Sequence, residues 1–156
     1  MNKYIIVFLI SMVPLIELRG AIPYAVGFGL NMPISYAIAI VGNMLPVPII
    51  FFFARKVLIW GKDKKLTGKF FTFCLEKGEH GGEKLKAKAG KGLYFALFLF
   101  VGIPLPGTGA WTGTLAASIL DLDFKKSTAA AMGGVVLAGI IMGLVSFLVK
   151  GAVGAM

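Results

Sequence analysis

An all-α integral membrane fold is predicted by three observations: the apolar content, the lengths of the apolar stretches, and the distribution of charge. Of 156 residues, 58% are hydrophobic, and the mean hydropathy is +0.87. A soluble domain is about 45–50% apolar and would run out of polar residues to cover its surface here. The length allows one domain, residues 1–156. The net charge is +9, and thirteen of the sixteen basic residues sit at Arg55, Lys56, Lys125, Lys126 and among the nine lysines between Gly61 and Lys91. Clusters that flank apolar spans follow the positive-inside pattern.

The first apolar stretch, Tyr4 to Ile16, is interrupted by Glu17-Leu18-Arg19-Gly20, and Ala21 to Leu30 follows. Its opening resembles a signal peptide. Glu17 and Arg19, however, stand where a small-residue cleavage site belongs, so the segment is expected to be retained. Pro33 to Ala54, 22 residues, is long enough to span a hydrocarbon core of about 30 Å at about 1.5 Å per residue. Leu66, Phe70, Phe73 and Cys74 recur at helical spacing among lysines. That predicts an interfacial helix in the 61–91 loop, with Trp60 at headgroup level. Gly92 to Ile103 is again short and is broken by Pro104-Leu-Pro-Gly-Thr-Gly-Ala-Trp-Thr-Gly113 before the chain runs on to Leu120. Ser127 to Val149, 23 residues, is a second full span.

The short stretches reach only about 20 Å, so each reads as a half-helix that enters and stops. Irregular backbone at that depth must face protein or a water-filled cavity. A shift of 90 residues superposes the layout. It places Tyr4 on Tyr94, Pro14-Leu15 on Pro104-Leu105 and Asn31 on Asp121. The expected architecture is therefore two inverted repeats, residues 1–60 and 92–156, joined by the basic loop. Each repeat is a re-entrant helical hairpin followed by a transmembrane helix. If the hairpins return to their own sides, the basic loop and Lys125-Lys126 share the cytoplasmic face, and both termini lie outside. Full crossings would split these basic clusters.

Candidate functional residues lie at the breaks. A charge at membrane depth costs about 2.5–3.5 kcal/mol on insertion scales, so Glu17 and Arg19 need partners. At i and i+2 they point apart on a helix, and each is expected to meet the second hairpin or a ligand. The second break offers backbone N–H groups at a helix start, around Gly107, Thr108, Gly109, Trp111 and Thr112. Free N–H groups at a helix N-terminus attract anions. With Arg19 brought up, these residues would form a phosphate- or carboxylate-sized pocket. The bland alternative is that the glycines only permit a tight turn, and that the charges only pin it. Asn43 precedes Pro46 and Pro48. It either satisfies the carbonyl of Gly42, which Pro46 leaves unpaired, or lines the cavity. In the last span Ala130, Gly134, Ala138 and Met142, with Gly139 and Gly143 nearby, form a small-residue face for helix packing, within the chain or in a homodimer.

Other chemistries find no support. Cys74 is a lone cysteine and His80 a lone histidine, so no metal site is assigned, and no cofactor motif or enzymatic constellation appears. Nucleic acid is not an expected partner, because the lysines flank apolar spans with no recognition element.

At Glu17-Leu-Arg-Gly-Ala-Ile-Pro23 and Ile103-Pro-Leu-Pro-Gly-Thr-Gly-Ala-Trp-Thr-Gly113 the chain resembles the prokaryotic "putative small multidrug export" family. Its layout also resembles the DedA (SNARE-associated, VTT) group. There the acidic residue of the pattern falls on Glu17 and the Pro-Gly on Pro106-Gly107, while the arginine, found in that group with the second hairpin, is here Arg19 in the first. The DedA likeness implies a lipid-moving protein of the prokaryotic inner membrane with an amphipathic anion as substrate, such as the polyprenyl (undecaprenyl) phosphate carrier. Glu17 would exchange a proton, while Arg19 and the helix start hold the phosphate. The alternatives are export of amphipathic cations on Glu17, and a non-transporting scaffold. Membrane lipids and a second copy of the chain are the expected partners.

Overall fold

The computed structural model describes residues 2–65 and 92–154, together with isolated positions between 66 and 91. All regular structure among the described residues is helical. The interfacial helix expected on Leu66, Phe70 and Cys74 falls outside them; Phe73 is described and exposed.

Helix α1 (Lys3–Met12) starts on the side chain of Asn2, which accepts from the Tyr4 amide, and it ends where Val13 turns extended. Proline disfavours helical geometry in the residue before it, and Pro14 follows Val13. Helix α2 (Glu17–Gly27) packs back against α1. Asn31 caps α3 (Met32–Met44) through a bond from the Ile34 amide, with Pro33 in the first turn, where its missing N–H costs nothing. The span does not stay regular. Pro46 and Pro48 withhold two backbone donors. The chain passes through a single short turn, α4 (Val47–Ile49), and a π-helical segment, Ile50–Ala54, before α5 (Arg55–Lys62).

The second half begins with α6 (Leu93–Gly102), which ends as α1 does: Ile103 is extended and precedes Pro104. Helix α7 (Ala110–Ile119) follows the break. The last helix, α8 (Phe124–Gly154), has 31 residues and is about 46 Å long at 1.5 Å per residue. It extends the 127–149 span at both ends; Asp123 caps its start through the Lys126 amide at 2.9 Å. Two helical segments, Met32–Phe53 and Phe124–Gly154, are long and apolar enough to cross a membrane, and Lys3–Met12 and Leu93–Gly102 are shorter apolar helices.

The small-residue face of α8 is used inside the chain. Gly134 lies against Val101 and the Phe98 carbonyl of α6, leaving no room for a methyl group. Gly139 and Gly143 receive Tyr36 of α3, whose hydroxyl donates to the Gly139 carbonyl at 2.6 Å. Around this contact Val7, Leu18, Ile22, Leu97, Val101 and Val135 form the core.

Four further contacts fix which ends lie together. The Tyr4 hydroxyl accepts from the Asn31 amide at 3.2 Å, which holds the start of α1 beside the start of α3. In the second half the Tyr94 hydroxyl accepts from the Asp123 amide at 3.3 Å, which holds the start of α6 beside the start of α8. Lys150, near the far end of α8, donates to the Val26 carbonyl at the end of α2. Phe51 and Phe52 pack on Phe124, with ring centroids 5.2 and 4.7 Å apart. The residue that caps α8 as Asn31 caps α3 is thus Asp123, not Asp121. The second break is longer than the first.

Candidate functional site

The two breaks meet. Glu17 begins α2 with a positive φ of 51°, unusual for a residue with a side chain, and is 4% exposed. Its two carboxyl oxygens accept the amides of Ala110 at 3.1 Å and Trp111 at 3.0 Å. These are the first two N–H groups of α7, which have no partner within the helix. The residue before them, Gly109, has no side chain to cap with, and its φ is 141°. A Cβ there would stand 2.5 Å from the Glu17 carboxyl, so glycine is what lets the carboxyl seat. Glu17 is in effect the N-cap of α7, supplied from the other half of the chain.

Arg19 makes the complementary contact. Its guanidinium donates from Nη1 to the Leu105 carbonyl at 2.5 Å. From Nη2 it reaches Thr108 Oγ1 at 2.9 Å, the Ile103 carbonyl at 3.3 Å and the Val101 carbonyl at 3.4 Å. Val101 belongs to the last turn of α6, whose carbonyls are unpaired within the helix. A carboxylate therefore sits at the positive end of one helix dipole and a guanidinium at the negative end of another, either side of a single break. The i, i+2 spacing makes this possible, because the two side chains diverge and straddle residues 103–109.

Sequence reasoning placed Arg19, Thr108 and the α7 start together, and the structure brings them together. The difference lies in who occupies the helix start. Glu17 fills it, and Arg19 turns to carbonyls on the other side of the break. Gly107, with φ of 79°, follows Pro106 in a turn closed by the Thr108 amide on the Leu105 carbonyl at 3.2 Å, and nothing packs against it. Proline then glycine at the two central positions is what a type II turn asks for. Asn43 is 2% exposed, and its amide reaches the Glu17 carboxyl. This is neither of the two roles expected for it, a bond to the Gly42 carbonyl or a place in the cavity wall: the side chain stands beside the Glu17 charge. Its Oδ1, like Trp111 Nε1 and Thr114 Oγ1, is buried without a partner among the described residues.

One part of the site was not foreseen. A cavity of about 540 Å³ lies between the first break, the irregular stretch of the first span and α7, with Leu15, Leu45, Ile49, Phe53, Trp111 and Leu115 among its walls. Pro46 and Pro48 were the available signal, because a broken helix leaves space beside it. His80 is exposed beside Glu83, at 3.7 Å. No group of three or more metal-ligating side chains occurs among the described residues.

No curated protein and no solved structure matches the chain. A family's sequence profile does, over residues 17–141, from the Glu17 cap through both breaks and most of the last helix. The chain belongs to the family described as "Putative small multi-drug export protein".

Proposed function

We propose that this membrane export protein is a proton-coupled secondary exporter of an amphipathic anion, acting without enzymatic chemistry. The observation that carries this reading is the seat of the Glu17 carboxyl on the Ala110 and Trp111 amides. That seat is an anion site in use, and its occupant is a titratable side chain. Protonation turns one carboxyl oxygen into an O–H donor and a far weaker acceptor for an N–H than the carboxylate oxygen it replaces. The seat is then half vacated, and an anionic headgroup can replace Glu17 there. Asn43 fits both states. Its NH₂ serves the ionised carboxyl, and after a flip of the amide its free Oδ1 accepts from the protonated one. Arg19 is the other charged group acting on Glu17 among the described residues.

Alternating access would use a single domain of two inverted repeats, each a re-entrant hairpin and a transmembrane helix. Several contacts support this. The tyrosine bonds to the Asn31 and Asp123 amides hold each hairpin's entry beside its exit. Lys150 ties one hairpin's open end to the far end of α8, while the other opens at its start. Charge supports a cytoplasmic placing of the end that carries Lys125 and Lys126, with both termini outside, in a prokaryotic inner membrane. Leu15 and Leu105 at the break tips are exposed, and a homodimer would cover them.

The experiment is movement of polyprenyl phosphate, and of a short alkyl phosphate, across proteoliposomes under an imposed pH gradient. Wild-type protein is expected to respond to the gradient, whereas Glu17→Gln loses the response. Unchanged gradient-driven movement in both Glu17→Gln and Arg19→Ala would overturn the assignment. The family description and the apolar cavity favour one second reading, export of amphipathic cations paired to Glu17. Cationic dyes moved in preference to phosphates would select it. A scaffold that moves nothing is the third outcome.

A further inference from the structure

The cavity beside α7 has a volume of about 540 Å³, within the range of small-molecule sites. Two separate breaks in helical structure and one helix create it: Pro14-Leu15 at the first break, Pro46 with the π-helical segment in the first span, and the first turns of α7. Its walls are almost wholly apolar. At the inner end the chemistry changes. Trp111, whose amide holds Glu17, lines the cavity, and so does Thr112. The bonds of the first turn of α7 account for Ala110, Trp111 and Gly113. The Thr112 amide has no bond among the described residues, although its hydroxyl lies 3.4 Å from the Gly109 carbonyl. At the outer end the cavity reaches Phe53 and Val57, next to the exposed Lys56.

The geometry points to this cavity as the binding site for the apolar body of an amphipathic monoanion, whose headgroup meets the Thr112 amide and the vacated Glu17 seat. The charge reading rests on the proposed function; the site itself does not. One feature favours such a molecule over an ordinary acyl chain of the bilayer: the Thr112 amide, a donor without a bond among the described residues, belongs to a residue that lines an otherwise apolar cavity. The molecule would enter from the leaflet at the basic end. Because Trp111 is shared, a ligand pressing on it acts on the residue that holds Glu17.

Trp111 also provides the measurement. The chain has two tryptophans, so Trp60→Phe leaves Trp111 as sole emitter. Three probes with the same brominated C18 chain and a carboxylate, a primary amide or a trimethylammonium head are titrated into this protein in detergent. Heavy-atom quenching requires contact. The carboxylate probe is expected to quench saturably and to bind about tenfold more tightly than the amide, the worth of a charge-assisted hydrogen bond. Filling the cavity with Leu45→Phe/Ile49→Phe, or separately with Leu115→Phe, is expected to weaken it by about tenfold or more. Leu45 and Ile49 are half exposed, so the first variant disturbs little packing.

Equal, unsaturable quenching by all three probes, unchanged by either filling, means a lipid-facing groove and overturns the proposal. Tightest binding of the ammonium probe overturns the anionic class. Saturable, filling-sensitive binding of the carboxylate in a protein that moves nothing across vesicles upholds the site and sinks the exporter reading. Full transport in the filled variants overturns the site and leaves the exporter reading standing.

Discussion

Glu17, Arg19 and Gly109 work as one unit, and their substitutions separate support from switching. Glu17→Ala removes both acceptors from the start of α7. Two buried donors at roughly 1–3 kcal/mol each put the loss on the order of 2–6 kcal/mol. Glu17→Gln keeps one carbonyl oxygen, so it resembles the protonated residue and should lose about half as much. Thermal unfolding in detergent checks the order: wild type above Gln above Ala. Equal melting temperatures for all three would mean that Glu17 does not hold α7. Gly109→Ala combines a left-handed φ with a clash on the carboxyl, and strain of that type is about 1–3 kcal/mol. Its loss should shrink in the Glu17→Ala background, because the clash partner is gone. A double-mutant cycle reads that coupling directly. Asn43→Leu deletes a buried acceptor that lacks a partner, so it should fold. Proton-driven movement should nonetheless fall about tenfold, the worth of one lost bond to a charged or protonated carboxyl.

At the scale of elements, the sequence announced the breaks but not all of their consequences. Val13-Pro14 and Ile103-Pro104 each force an extended residue, which is a local rule and so was legible. The small-residue face of the last helix was legible for the same reason, since spacing alone puts Gly134, Ala138 and Met142 in a row. That Tyr36 would occupy the face was not legible, because it depends on how α3 crosses α8. The cap on α7 escaped for a related reason: Gly109 signals a missing side chain but not which distant carboxyl replaces it. The cavity is a property of two irregular segments packed against helix α7, and no single segment encodes it. The Tyr36 contact carries its own prediction. Gly143→Ala places a methyl group on the Tyr36 hydroxyl and should cost about 1–3 kcal/mol as overpacking. Tyr36→Phe added to it should recover part of that loss in the same unfolding assay. No recovery would mean that α3 does not approach α8 through Gly143.

In the whole molecule, topology follows from which ends of the helices share a side. Helix α8 is continuous, so its two ends lie on opposite sides of any membrane it crosses. Asp123 stands at one end, and Lys150 near the other bonds back to Val26, close to Asn31 in the chain. On the proposed re-entrant reading, the hairpins held by Tyr4 and Tyr94 at their mouths would open on opposite sides, and the half-helices between them would need only to reach mid-membrane. The alternative, in which each broken segment crosses fully, would separate Tyr4 from Asn31 by the thickness of the bilayer. Single cysteines at positions 31, 80 and 123, in a Cys74→Ser background, test this with a membrane-impermeant maleimide on intact and permeabilised cells. Positions 80 and 123 should react only after permeabilisation, and position 31 should react on intact cells. Labelling of 80 and 123 from opposite sides would exclude the hairpins. It would also remove the reason for Glu17 and Arg19 to meet the second break at mid-membrane, since fully crossing segments could satisfy those charges at the surface.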